Sequence, residues 1–134
     1  MTLAGRLEIE LDGSRALARI GSSRPLTVAR NFLGRTPAEV LQSLPLLFGV
    51  CGMAQGVAFV TACENALGIA ATAARRRIRD ILVLSETARE HLLRIALDWP
   101  RFAGSEPDLS LLRRIMALDR RVRDALAAKA LTLA

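Results

Sequence analysis

Apolar and polar positions change period along the chain, from two near the N-terminus to three-and-four after residue 36. Leu7, Ile9 and Leu11 alternate with Glu8 and Glu10, Asp12-Gly13 is a strong turn dipeptide, and Arg15 to Ile20 returns. That pattern predicts a β-hairpin over residues 5–20. A break follows at Gly21-Ser22-Ser23-Arg24-Pro25, and Leu26 to Ala29 is a candidate third strand. From Thr36 onward the pattern is helical. Thr36 is a predicted N-cap, with Pro37 at the first helical position and Glu39 at the third. Helix one is expected to run to about Leu44, where Pro45 interrupts it. Helix two is expected from near Val50 to Gly68, a natural left-handed cap.

A third helix is predicted from roughly Ala71 to Leu97, stopped by Pro100 and Gly104. Ile78, Ile81, Leu82, Ser85, Ala88, Leu92 and Ile95 recur in it at steps that lay them along one stripe. A fourth starts near Pro107, with Leu111, Leu112, Ile115, Leu118, Val122 and Leu126 on its buried side and Arg113, Arg114, Arg120 and Arg121 largely away from it. No internal repeat or low-complexity linker interrupts this order. The fold class is therefore α+β, mostly α: a single domain over residues 1–134, with a small β-sheet in 1–30 and about four helices in 37–131.

One uncharged run changes the picture only briefly. Val40 to Cys63 carries no charged residue, long enough to span a bilayer. Pro45, Gln42, Ser43, Gln55 and glycines 49, 52 and 56 break its apolar character, so a buried core helix is expected and no membrane span. Composition agrees with a folded soluble chain, at 51% hydrophobic and 24% charged. A net charge of +6 invites a nucleic-acid reading, yet Lys129 is the only lysine and the arginines are dispersed among Asp and Glu. Aromatics are 4% and Tyr is absent, so there is no platform for stacking bases, and no nucleic-acid partner is expected. Two cysteines make no secreted disulfide framework, and Met1 to Arg6 lacks the apolar core of a signal peptide. A cytoplasmic home is the expectation.

Candidate chemistry is sparse. His91 is the only histidine, which rules out a multi-histidine metal site within one chain. Gly49, Gly52 and Gly56 recur at helical spacing and lack the Gly-Lys-Ser/Thr of a phosphate loop. No catalytic residue is assigned, and the chain reads as a non-enzyme. Cys51 is expected just inside helix two beside Gly49 and Gly52, where backbone amides and the helix dipole favour a thiolate and small neighbours leave room for a bulky group. An inert buried cysteine is the alternative at that position. Cys63 lies three turns further along, too far to share an ion. Arg75, Arg76, Arg77 and Arg79 crowd the start of helix three, where the dipole disfavours cations. They are a candidate docking patch for an acidic partner or an anionic complex, with a solvated face as the alternative. His91, Asp98 and Trp99 are read as structural.

Several pieces of the chain, in order, resemble a known family. Leu46-Leu47-Phe48-Gly49-Val50-Cys51 followed by Gly52-Met53-Ala54-Gln55 resembles the Arg-x-Cys-Gly-x-Cys-x-x-x-His motif of nickel–iron hydrogenase large subunits. Ala62-Cys63-Glu64-Asn65-Ala66-Leu67-Gly68-Ile69 looks like the segment after it. Gly5-Arg6-Leu7-Glu8-Ile9-Glu10-Leu11 with Asp12-Gly13 resembles that family's N-terminal hairpin, and Gly34-Arg35-Thr36-Pro37 its Gly-Arg-Asp-Pro step. Arg79-Asp80-Ile81-Leu82 through Glu86 and His91 to Leu97-Asp98-Trp99 looks like its long helix. The departures are chemical. Phe48 stands at the first cysteine position, Gln55 at the histidine and Leu46 at the arginine, and no glutamate falls in Leu26 to Ala29, where the family carries a proton relay. A phenylalanine cannot ligate nickel, so the resemblance implies no nickel and no hydrogen turnover.

These losses, with Ser85-Glu86-Thr87-Ala88-Arg89-Glu90-His91-Leu92 and Asp98-Trp99-Pro100, are similar to the HupK/HoxV group of hydrogenase accessory proteins. The resemblance implies a fold like the N-terminal region of the large subunit, equivalent to the N-terminal part of a longer scaffold. It implies a maturation role, holding the iron-dicyano-carbonyl part of the cofactor during large-subunit assembly, with Cys51 as candidate iron ligand and iron bound transiently. A soft thiolate suits such an iron, which already carries most of its ligands. HypC-like maturation chaperones and the hydrogenase large-subunit machinery are the implied partners. Apolar helix faces left uncovered would favour a homo-oligomer. The alternative is a metal-free helical interaction protein that binds a maturation chaperone or the hydrogenase precursor.

Overall fold

The structure, a computed structural model, describes residues 5–133 apart from Ala16 and Leu26. It divides into two compact units, one ending at Arg35 and the other beginning at Thr36.

In the first unit, β1 (Leu7–Asp12) and β2 (Leu17–Ser22) form the expected antiparallel hairpin, with Ile9 opposite Ile20 and Leu11 opposite Ala18. Opposed residues share a face, so Leu7, Ile9, Leu11, Ala18 and Ile20 line one side and Glu8, Glu10 and Arg19 the other. Asp12 shapes the turn: its Oδ1 accepts from the Ser14 amide at 3.0 Å and the Ser14 hydroxyl at 2.6 Å. The Ser14 hydroxyl, the Ser14 amide and the Arg15 amide hold the Asp12 carboxyl below its ordinary range. Gly5 sits at φ 66°, and a Cβ there would fall 2.5 Å from the Arg24 Cα, so only glycine fits where the two chain ends of the hairpin pass.

No third strand forms among the described residues. Val28–Phe32 instead winds into a 3-10 turn, with the Arg30 amide donating to the Thr27 carbonyl at 2.9 Å. These local bonds satisfy backbone groups that a strand would have taken to a neighbour. Leu26, the first residue of the expected strand, lies outside the described residues.

The second unit is helical. Pro37–Leu47 forms α1, opened by the expected capping box: the Thr36 hydroxyl accepts from the Glu39 amide, and Glu39 Oε2 accepts from the Thr36 amide at 2.8 Å. Pro45 does not end α1. It removes only the amide that would reach back one turn, and the Phe48 amide still closes the last turn on Leu44 at 2.9 Å. The second helix, α2, is Gly52–Leu67, closed by Gly68 at φ 68°. Ala73–Leu97 is α3, and the Thr72 hydroxyl caps it by accepting from the Arg75 amide at 3.2 Å. α3 ends at Leu97 as expected, and Pro100 follows in the first turn of a separate one-turn helix α4 (Trp99–Phe102), where its missing amide is not needed. Leu109–Ala130 is α5, capped by Asp108 through the amides of Ser110 and Leu111 at 3.0 and 2.9 Å. The architecture is thus mostly α, a two-stranded sheet followed by four long helices and one short one.

Val40 and Leu44 of α1, Met53 and Val60 of α2, Leu82 and Ala96 of α3, and Ile115 and Ala130 of α5 form the buried apolar set. The buried face of α3 is not its most apolar one. Arg79, Leu82, Glu86, Arg89 and Ala96 are buried, while Ile81, Leu92 and Ile95 of the predicted stripe are exposed. Each buried charge of α3 reaches a polar group on α2, α5 or their ends, which offsets its desolvation. Trp99, read as structural, is 62% exposed. The uncharged run from Val40 divides between α1 and α2, and no described helix is long and apolar enough to cross a membrane.

Candidate functional site

The turn Phe48–Cys51 joins α1 to α2, closed by the Cys51 amide donating to the Phe48 carbonyl at 3.1 Å. Cys51 is half-buried and stands at the N-cap of α2, one residue outside the helix rather than just inside it. Its side chain makes no capping bond. The amides expected to serve the thiol are occupied: those of Met53 and Ala54 donate to Oε1 and Oε2 of Glu86, each at 2.9 Å. Glu86 comes from the middle of α3 and is 6% exposed.

The glycines beside the thiol divide in their roles. A Cβ on Gly52 would fall 3.0 Å from the Pro45 Cα, so that glycine lets α1 approach α2. A Cβ on Gly49 would meet nothing within 4 Å, so Gly49 itself stands in open space. Gln55 stands one helical turn beyond Cys51, and its Nε2 lies 4.0 Å from the sulfur.

A second buried side chain of α3 grips the turn from the other direction. The Arg89 Nη2 donates to the Val50 carbonyl at 3.0 Å and to Glu90 Oε1 at 2.7 Å, while its Nη1 reaches Asp119 Oδ2 on α5 at 3.5 Å. Arg123 joins the same carboxylate oxygen at 2.8 Å. Arg89 Nε and Asp119 Oδ1 are buried and have no hydrogen-bond partner among the described residues.

Cys63 is half-buried on α2, about 18 Å from Cys51 at the helical rise per residue. Both thiols are free. Among the described residues, no three His, Cys, Asp or Glu side chains gather as a metal nest, so Cys51 is a solitary soft donor.

The arginine patch does not hold together as expected. Arg76 and Arg77 are exposed beside a cleft of about 750 Å³ between the end of α2 and the start of α3. Arg75 is half-buried, and Arg76 donates through Nη1 to the Ala71 carbonyl. Arg79 turns inward at the floor of that cleft. It is 3% exposed, its Nη1 and Nη2 hold the two oxygens of Glu64 at 2.6 and 2.7 Å, and its Nε donates to the Ala130 carbonyl at 3.0 Å. The Glu64 carboxylate beside it raises the Arg79 guanidinium above its ordinary pKa. His91 lies exposed on α3 and takes no part in the Cys51 turn.

Sequence reasoning passed over Glu86, Arg89 and Asp119. The available signal was the step of three and four that joins Arg79, Leu82, Glu86 and Arg89 on one face of α3. An apolar stripe beside it carried the larger hydrophobic pattern and masked it.

No protein-family model matches the chain, and no solved structure matches it. Curated proteins do. The hydrogenase expression/formation protein HupK of Rhodobacter capsulatus is 37% identical over 107 residues, covering 80% of this chain and 33% of that protein. HupK of Azotobacter vinelandii is 38% identical over 130 residues, 94% of this chain and 37% of that protein. The hydrogenase expression/formation protein HoxV of Cupriavidus necator is 39% identical over 88 residues, 66% of this chain and 22% of that protein. The chain spans about a third of the length of these relatives or less. Across most of its own residues it is HupK/HoxV-like, a relative of the hydrogenase expression/formation proteins.

Proposed function

We propose that the chain serves hydrogenase maturation without catalysing a reaction itself, holding the iron-dicyano-carbonyl part of the nickel–iron cofactor in transit. The carrying observation is the Cys51 thiol, which is free, half-buried and relieved of capping α2. In this reading the iron fragment is cargo. Its diatomic ligands satisfy most of its coordination, and one thiolate completes the hold while allowing release. No nickel is carried, since Phe48 and Gln55 offer nothing to a nickel ion in place of the thiolate and imidazole of the large-subunit motif. HypC-like chaperones and the large-subunit machinery in the cytoplasm are the partners this reading requires.

The test is to produce the chain together with the maturation machinery and record its infrared spectrum. Cyanide and carbonyl bands are expected, retained on Cys63→Ser and lost on Cys51→Ser. Bands that survive Cys51→Ser reject this thiol as the anchor.

A specific feature favours a second reading, a metal-free interaction protein. Ala88 and Leu92 of α3 and Leu111 and Leu118 of α5 line an apolar groove of about 570 Å³, edged by Arg114 and Arg121. Such a surface suits an amphipathic segment bearing carboxylates, on a chaperone, on the hydrogenase precursor or on a second copy of the chain. In that case Cys51→Ser leaves partner capture and hydrogenase maturation intact, whereas Leu92→Asp abolishes both.

A further inference from the structure

We propose that Glu86 is a remote N-cap for α2 which, with Arg89, holds the Cys51 segment and its thiol in a fixed position; this rests on the reading of Cys51 as the anchoring group. The comparison lies within the molecule. Thr36, Thr72 and Asp108 cap α1, α3 and α5 with their own side chains. Among the four long helices, α2 alone has an N-cap residue that makes no capping bond.

A serine or threonine at position 51 would cap those amides locally, without burying a charge. The thiol is a weak acceptor, and here the work passes to a carboxylate 33 residues away from Met53 in sequence. Burying a carboxylate is costly unless strong donors receive it. Glu86 finds two, one amide on each oxygen, and its charge sits at the positive end of α2. One turn further along α3, Arg89 takes the Val50 carbonyl on the other side of Cys51. Backbone on both flanks of Cys51 is thereby tied to one face of one helix. Asp119 and Glu90 steady the guanidinium in turn. The Gln55 side-chain amide, 4.0 Å away, donates to the thiol. Glu86 and Arg89 are positioning residues, since neither contacts the sulfur.

The experiment uses the full chain carrying Cys63→Ser, so that Cys51 is the sole thiol. Glu86→Gln, Glu86→Ala and Arg89→Lys are compared by the rate of iodoacetamide alkylation, by thermal melting, and by infrared spectra after production with the maturation machinery. Glu86→Ala is expected to lower the melting temperature and speed alkylation at least about fivefold, the population shift that follows loss of a helix cap. Glu86→Gln keeps one acceptor oxygen and should fall between. The melting loss of Glu86→Ala should shrink when Cys51→Ser is also present, because a serine there caps α2 locally.

A folded Glu86→Ala variant with unchanged alkylation overturns the proposal, as does an equal melting loss in the two backgrounds. Should Glu86→Ala fail to fold, Glu86→Gln and Arg89→Lys decide by the same readouts. If the parent chain carries no cyanide or carbonyl bands while alkylation responds, the iron reading fails and the remote cap stands. If the bands are present and neither weaken nor shift in a Glu86→Gln variant with altered alkylation, the positioning role is rejected.

Discussion

Replacing Arg79 with methionine removes one partner from the most buried ion pair in the helical unit. Arg79 and Glu64 are 3% and 2% exposed and meet through two bonds of 2.6 and 2.7 Å. Arg79 also donates to the Ala130 carbonyl at 3.0 Å and the Thr132 carbonyl at 3.3 Å, so it fastens the end of α5 to the start of α3. Truncating one member of a buried pair costs about 3–5 kcal/mol, because the remaining charge stays desolvated. With an unfolding entropy of about 2.1 cal/mol/K per residue over 134 residues, that corresponds to a fall in Tm of about 10–18 °C. The cost is a large share of the roughly 5–15 kcal/mol available to a domain. Thermal melting followed by far-UV circular dichroism reads it directly. Adding Glu64→Leu to Arg79→Met should recover most of the loss, since an apolar pair of similar volume often replaces a buried ion pair without penalty. A single Arg79→Met variant that melts within about 3 °C of the parent, well inside the range worked above, would refute the view that this pair holds α2, α3 and α5 together.

Further outcomes follow from other positions. Gly52→Ala should destabilise by about 1–3 kcal/mol, because its Cβ would press on the Pro45 backbone at 3.0 Å. Gly56→Ala should be close to neutral, both changes being read by urea titration, since its Cβ meets only the flexible end of the Leu131 side chain and alanine favours the helix. Leu82→Ala, at a site 1% exposed, should cost about 2–5 kcal/mol with an unchanged denaturant slope. Asp108→Ala should lower the melting temperature by uncapping α5. The Leu111 and Ser110 groups hold the folded Asp108 carboxyl below its ordinary 3.8, so its contribution is full above that value and is lost as pH falls through the lower folded one. The gap between parent and variant should therefore be constant near neutrality and close only in acid below about pH 3.8.

Local chemistry was largely legible. The hairpin over residues 5–20, the Thr36 capping box and the Gly68 cap each rest on neighbours within a few residues, and they form as expected. Pro45 was over-weighted: it lies in the last turn of α1, where losing one amide bond leaves that turn closed by Phe48, whereas α3 does end at Leu97 ahead of Pro100. The expected strand at Leu26 to Ala29 rested on two alternating apolar residues, too few to outweigh local turn bonds. Cys51 was found as a candidate, but its surroundings were not: the expectation that helix amides serve the thiol fails because Glu86 already holds them.

Element order, the approximate helix spans and the local N-caps of α1, α3 and α5 were thus determined by the sequence alone, since they depend on period and on side chains reaching their own backbone. Which face of α3 turns inward was decided only by tertiary structure. Periodicity counts apolar residues and so pointed to Ile81, Leu92 and Ile95, whereas the folded chain buries Arg79, Glu86 and Arg89. A buried charge is tolerated when a partner stands opposite it, and those partners, Glu64, the amides of Met53 and Ala54, and the Val50 carbonyl, come from segments distant along the chain. No local pattern encodes such a meeting, and it is this meeting that frames Cys51.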